Sequence, residues 1–299
     1  MMIGVDIRDG SVVALAVGSD GAVSARASAE TRGADVVAAA TSAVERVTPA
    51  SSGPSSLGIA TSGVDASASA RVLESLALRY AALFEQRAVI GPGTAAAVAE
   101  SWIGVAKGVE DVVYFAVAEH ATAGVIRGGQ PVIGAHGREP AVGWLGLNPV
   151  EREDYRKAGC LEAEVAAAGI VRRLIWRIKA GDRSRVQEKV NDELSAITVE
   201  MVLDAARNKD GVSISVMRDT AKYLGMAAAN LVVMSDPGTL VLGGVMATAR
   251  DLLLEPILQE LNRRLPGPMM EGLSIATAAL DADAPAIGAA RHAATLMSL

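Results

Sequence analysis

"RDTAKYLGMAAANLVVMSDPGTLVLGGVM", residues 218–246, changes character at Pro237, from a long run with apolar residues at helical spacing to a short β-rich run that stops on two glycines. The spacing predicts a helix reaching back to Val212, "VSISVMRDTAKYLGMAAANLVVM", then a strand, "TLVLGG", that ends at Gly243 and Gly244. A closing helix is predicted in "APAIGAARHAATLMSL", residues 284–299, and the stretch from Val150 to Leu231 reads as mainly helical. Glycines after a strand also make an ordinary tight turn, so the pair alone assigns no ligand.

The chain opens with strands in "MIGVDI", "VVALAVGS" and "AVSARAS", the last two joined by a turn at Asp20 and Gly21. A helix in "GADVVAAATSAVERV", a strand in "SLGIATSG", a second helix in "VLESLALRYAALFEQ" (72–86), a strand in "RAVI" and a third helix in "TAAAVAESWIGVAK" (94–107) follow. At "DVVYFAVA" the strand opening restarts, continuing in "TAGVIRGGQPVIGA" around Gly128 and Gly129. Two restarts of one opening predict duplicated α/β halves, with a cleft between them as the natural ligand site.

A chain of 299 residues, 51% hydrophobic and 21% charged, is long enough to bury two cores. The net charge of −6 and the dispersed arginines and lysines give no footprint for nucleic acid. The single cysteine, Cys160, forms no internal disulfide, no basic-then-apolar signal segment opens the sequence, and no apolar run is long enough to span a bilayer. Cytoplasmic residence without membrane attachment is the expectation.

The "YLG", "ANL", "DP" and "VLGG" elements at these spacings, with "APAIGAARHA" at 284–293, resemble the ROK family (repressors, open reading frames and sugar kinases) of the actin-like ATPase superfamily, over nearly the whole chain. The resemblance implies an α/β, two-domain actin-like ATPase fold, a duplicated ribonuclease H-like architecture with an interdomain cleft. It also implies an N-terminal lobe of residues 1–113 plus 282–299, a C-terminal lobe of 114–281 with a helical insertion, a homodimer, and an adenosine pocket lined by Gly243 and Gly244.

The chemistry departs from the family pattern. A phosphate loop needs bare backbone N–H groups and no nearby acid, yet "DIRDGS" keeps only Asp6 and Ile7 of the first loop, with Arg8 and Asp9 at the glycine positions and Gly10 at the threonine. In the second, "AEHATAG", Gly124 survives and Glu119 adds a carboxylate. The family's general base is an aspartate that accepts the sugar hydroxyl's proton. In "GPGTAAAVAE", residues 91–100, Pro92 occupies its place, Gly91 and Thr94 replace the flanking asparagines, and Ala95, Ala96, Ala97 and Glu100 follow in register. Neither Glu100 nor Asp65 is in register to replace the base.

The family's zinc site needs one histidine and three thiolates. Here Ala141 and Trp144 stand in "AVGW", Glu153 and Tyr155 take the first two cysteine positions, and Cys160 alone remains, so no zinc is expected. Glu162 matches a sugar-contacting residue and equally suits a carboxylate at a helix start. Trp144 and Trp102 both read first as packing residues, with Trp144 the better ligand-facing candidate. His120, His136 and His292 share no metal-ligand spacing. The expected function is a catalytically degenerate sugar-kinase homologue with a ligand-sensing, regulatory or assembly role and no cofactor. The alternative is a hexose or amino-sugar kinase using ATP and Mg²⁺ with rearranged groups. A chain opening on the strand "MIGVDI" has no helix-turn-helix ahead of it, so no direct nucleic-acid partner is expected.

Overall fold

Strands β1 (Met2–Ile7) and β2 (Ser11–Val17) are buried at almost every position, because the sheet they found is covered on both faces. The computed structural model describes residues 1–31, 35–48, 55–61, 66–79, 84–137 and 140–296. β2 turns back through Asp20, whose carboxylate accepts the Ala22 N–H at 3.0 Å, and Gly21, at φ +88°, into the largely exposed edge strand β3 (Val23–Glu30). Helix α1 (Val36–Val47) starts on an Asp35 cap and leads to β4 (Ser55–Ala60), α2 (Ala66–Arg79), β5 (Phe84–Ile90) and α3 (Pro92–Trp102). The first sheet runs β3-β2-β1-β4-β5, with β1 antiparallel to β2 and parallel to β4.

The helix expected over 72–86 is corrected at both ends. It begins earlier, in "ASASAR", where small polar residues hide the apolar period, and residues 84–86 belong to β5, where fully buried Phe84 pairs with Ser55. The third helix ends at Trp102, short of Lys107.

The second strand set comprises β6 (Val112–Val117), β7 (Ala121–Arg127) and β8 (Gln130–Pro131). The β7–β8 turn uses Gly128 and Gly129, both at positive φ, as a two-residue hairpin requires. Six helices follow: α4 (Glu153–Ala158), α5 (Cys160–Val165), α6 (Ala167–Lys179), α7 (Arg185–Lys189), α8 (Val199–Arg207) and α9 (Gly211–Ser235). The chain continues through β9 (Thr239–Gly244), α10 (Val245–Thr248), α11 (Arg250–Arg264), α12 (Gly267–Glu271) and β10 (Ser274–Thr277) to α13 (Ala284–Thr295). The second sheet runs β10-β9-β6-β7-β8.

By internal contacts the chain divides into one unit of Met1–Tyr114, Ala123–Pro140 and Ala278–Leu299, and another of Phe115–Thr122 and Ala141–Thr277. The expected division assigned all of 114–281 to the second lobe. Residues 123–140 cluster with the first unit because Ala123 and Gly124 of β7 lie against the start of α3.

In the first unit, α1 and α2 cover one face of the sheet, burying Ala40, Val44, Val72 and Leu76 against Ile3, Leu57, Ile59 and Phe84. Helix α13 lies against β1, β4 and α3 at main-chain distance. A Cβ on Gly4 would collide with the Ala286 carbonyl, one on Gly58 with that of Ala289, and one on Gly288 with that of Ala95. Gly288→Ala therefore reverses the usual helix-stabilising sign of a glycine replacement and costs about 3 kcal/mol in denaturant unfolding, whereas Gly146→Ala, which meets no atom within 4 Å, is near neutral.

In the second unit, α9 starts on Asp210, whose buried carboxylate accepts from Ser213 N and Oγ, Ser184 Oγ and Arg185 N at 2.9–3.2 Å. Burial alone would raise the Asp210 pKa, but these four donors outweigh it and hold the group below its ordinary value. The resulting stability is complete above the ordinary carboxylate range and is lost as pH falls through the depressed folded value. Asp210→Asn is expected to remove about 1–2 kcal/mol at neutral pH and to flatten the acid limb of a stability-against-pH curve.

Candidate functional site

The first turn of α3 carries no carboxylate or imidazole to act as a general base. Gly91 caps the helix without a side-chain bond, its carbonyl accepting from Ala95 N at 2.8 Å, and Pro92 takes the first helical position, where a missing N–H costs nothing. Gly93 is set by space: a Cβ there would strike the main chain of Ala123, and one on Gly124 would strike Gly93 and Thr94. The survival of Gly124 in the second loop is thus explained by a backbone crossing.

Glu100, at the other end of α3, is fully buried. Its Oε1 accepts the N–H groups of Ala279 and Leu280 at 2.9 and 3.0 Å, and its Oε2 that of Val105 at 3.0 Å. Among the described residues it has no cationic partner, and its oxygens meet backbone N–H groups instead. Burial chiefly, with the charges of Glu100 and Asp281, pushes the Tyr114 phenol well above its ordinary range, so it stays protonated. Asp65 lies outside the described residues.

In the first loop the Arg8 side chain bonds two neighbours. Its Nε donates to Asp6 Oδ2 at 2.6 Å and its Nη2 to the Ala282 carbonyl at 2.6 Å, while its backbone N–H bonds Ser11. Asp6 is buried, and Gly10 has open space where a Cβ would stand. Arg26 bonds Asp283, so two arginines secure the segment before α13 to the first sheet.

Residues 118–121 turn tightly from β6 into β7, with the His120 Nδ1 2.9 Å from Glu162 Oε1 and the Ala121 N–H donated to Glu162 Oε2 at 3.2 Å. Glu162 thus ties this turn to α5. Beside it, a Cβ on Gly143 would stand a tight 3.0 Å from Glu162 Oε2, and Gly159, at φ +90°, approaches the Gly143 carbonyl too closely for a Cβ. Trp144 follows, 51% exposed. Gly244, at φ +60°, lies against the Val117 carbonyl, while Gly243 is buried in β9.

Residues 92–295 match the model of the ROK family. The chain belongs to that family. It is 29% identical over 195 residues, 64% of its length, to a glucokinase of Halalkalibacterium halodurans, covering 59% of that protein. It is 28% identical over 186 residues, 62% of its length, to the DNA-binding transcriptional dual regulator NagC of Escherichia coli, covering 44% of it. The chain thus spans about half the length of these relatives. Among solved structures, a ROK family glucokinase from Streptomyces griseus, in complex with glucose and AMPPNP, superposes with a TM-score of 0.79 at 22% identity, covering 98% of this chain and 99% of that one. The ROK hexokinase from Thermus thermophilus gives a TM-score of 0.75 at 22% identity, with 99% of each chain covered. The fold is the actin-like ATPase fold of ROK sugar kinases, with two mixed sheets. A DNA-binding relative stands against the expectation of no nucleic-acid partner. No described helix is long and apolar enough to cross a membrane.

The residues at the ROK zinc positions do not fit a tetrahedral metal. Trp144 offers no ligand atom, Tyr155 donates its hydroxyl to Glu164, and Cys160 packs with Tyr155 and Ala163 in an apolar cluster. No group of three or more candidate ligands occurs among the described residues.

The structure joins His120 to Glu162, a pair that sequence separation hid. Trp102 packs under Arg291, whose guanidinium lies 4.8 Å from the ring. His136 is exposed beyond β8 and His292 sits in the last turn of α13. Glu100→Gln sets an amide N–H₂ against backbone donors, so it is expected to lower unfolding stability by about 2–4 kcal/mol in a denaturant titration.

Proposed function

We propose that this ROK-family chain does not transfer phosphoryl groups and serves instead as a ligand-sensing, regulatory or assembly protein. The entrance of α3 carries this reading. Where a sugar kinase of the family places its base, the chain has Pro92, and the one nearby acid of that helix, Glu100, is already committed to three backbone donors. A carboxylate buried in that way serves folding and has no path to a substrate hydroxyl.

The phosphate elements support the same reading. Arg8 neutralises Asp6 and occupies the first loop, and Gly124 is used in the crossing with α3. A bare cradle of backbone N–H groups, which ATP with Mg²⁺ would need, is replaced by side chains bonded to one another. The binding face of this reading is Trp144 with Glu162, and the working form is a cytoplasmic homodimer without zinc. The likeness to NagC favours a regulatory role, and mobility-shift titration with promoter DNA at physiological salt tests for direct nucleic-acid contact.

The alternative, an ATP-dependent hexose or amino-sugar kinase with rearranged groups, draws on the likeness to a glucokinase. A coupled ADP-release assay with Mg²⁺ and ATP across a panel of hexoses and amino sugars decides between the two. The expected result is no sugar-dependent turnover above the blank, for the unaltered chain and equally for Pro92→Asp, which restores a carboxylate but neither loop. Sugar-dependent ADP release by the unaltered chain would falsify the proposal.

A further inference from the structure

The second unit carries a groove of about 470 Å³ among the segment after Leu147, α6, α9 and the end of α11. Four cations, Arg152, Arg173, Lys222 and Arg264, line it against two carboxylates, Glu164 and Asp219. The lining residues carry more cations than carboxylates, while Asp154 and Glu260, outside the lining, pair with Arg152 and Arg264.

The cations divide into two kinds. Arg152 donates to both oxygens of Asp154 at 3.1 and 2.6 Å and to Glu164 at 2.9 Å. Arg173 donates to Glu164 at 2.5 Å and to Thr220 at 3.1 Å. Glu164 is buried and also receives the Tyr155 hydroxyl, so this part of the wall is internally satisfied and fixed.

The other two retain donors. Arg264 uses its Nε on Glu260, leaving both terminal nitrogens, and Lys222 has no partner among the described residues. The Tyr223 hydroxyl accepts from Asn148 at 3.3 Å and keeps its own proton to donate. Trp176, 48% exposed, forms an aromatic wall held by the Arg152 guanidinium 4.7 Å from its ring.

We infer that this groove binds a small phosphate monoester, its phosphoryl oxygens held by Lys222, Arg264 and Tyr223. A phosphate monoester carries about −1.5 to −2 charge near neutral pH, which suits the Lys222 ammonium together with the terminal nitrogens that Arg264 keeps beside its bond to Glu260 better than a single carboxylate does. Asp219, one turn from Lys222 on α9, accepts hydroxyl donors on the ligand's carbon skeleton, while the cationic end alone takes inorganic phosphate. None of Pro92, Trp144 and Glu162 lines the groove, and the inference stands whether or not the chain transfers phosphate.

Trp102→Phe with Trp144→Phe leaves Trp176 as the sole indole to report on the groove. Its fluorescence is titrated with inorganic phosphate and with sodium chloride at matched ionic strength, and calorimetry on the unaltered chain makes the same comparison without those substitutions. The expected result is a saturable response to phosphate alone, weakened by about tenfold or more in Lys222→Ala with Arg264→Ala at an unchanged melting temperature. A response equal to that of chloride, or one unchanged in the double variant, overturns the assignment. Sedimentation showing that the double variant dissociates a dimer, with no phosphate response in either protein, places a second copy in the groove and also overturns it.

Discussion

The first unit depends on main-chain contact between α13 and three neighbours. Gly4 and Gly58 on adjacent strands and Gly288 on the helix remove the side chains that would hold these elements apart. That closeness fixes α3 along its length: Gly93 against β7 at the start, Ala95 against Gly288 in the middle, and Glu100 receiving the chain that enters α13 at the end. Most side chains at this seam are alanine, so shape complementarity at close range replaces the bulk that larger residues bring to a core.

Charge is handled by local closure. Arg8 with Asp6, Arg26 with Asp283, and Arg152 and Arg173 with Glu164 each set guanidinium groups against carboxylates. Planar guanidinium forks suit this, since they satisfy several acceptors at once without a mobile ammonium. The segment from Leu147 to Val165 is held by such a network, with Tyr155 and Cys160 packed behind it. A cross-link of this kind responds to pH and ionic strength, which a coordinated metal does in a different way.

Much of the architecture was legible because long periodic runs carry their own evidence. The helix beginning near Val212, the strand "TLVLGG" and the opening three strands all stand where apolar spacing and turn residues put them. The start of α2 was hidden because alanine and serine there give no period, and its end was overrun because Phe84 suits helix and buried strand equally in a single sequence. At the site, Pro92 was readable as a residue type, since proline lacks a proton acceptor in any surroundings. The environments of Glu100 and Arg8 were not, because each is defined by partners about 180 and 270 positions away, respectively, and local spacing carries no information on those. The pairing of His120 with Glu162 was hidden for the same reason.

The crossing of Gly93 with β7 separates two constraints within one short stretch. Gly91 and Pro92 are only partly buried, whereas Gly93 is fully enclosed and has no room for one additional carbon. Packing and proton chemistry are therefore written on different residues, so a substitution at Pro92 leaves the enclosed contact at Gly93 in place. The interval from Gly93 to Glu100 is then set by how the two ends of α3 fit their neighbours, a requirement of folding alone.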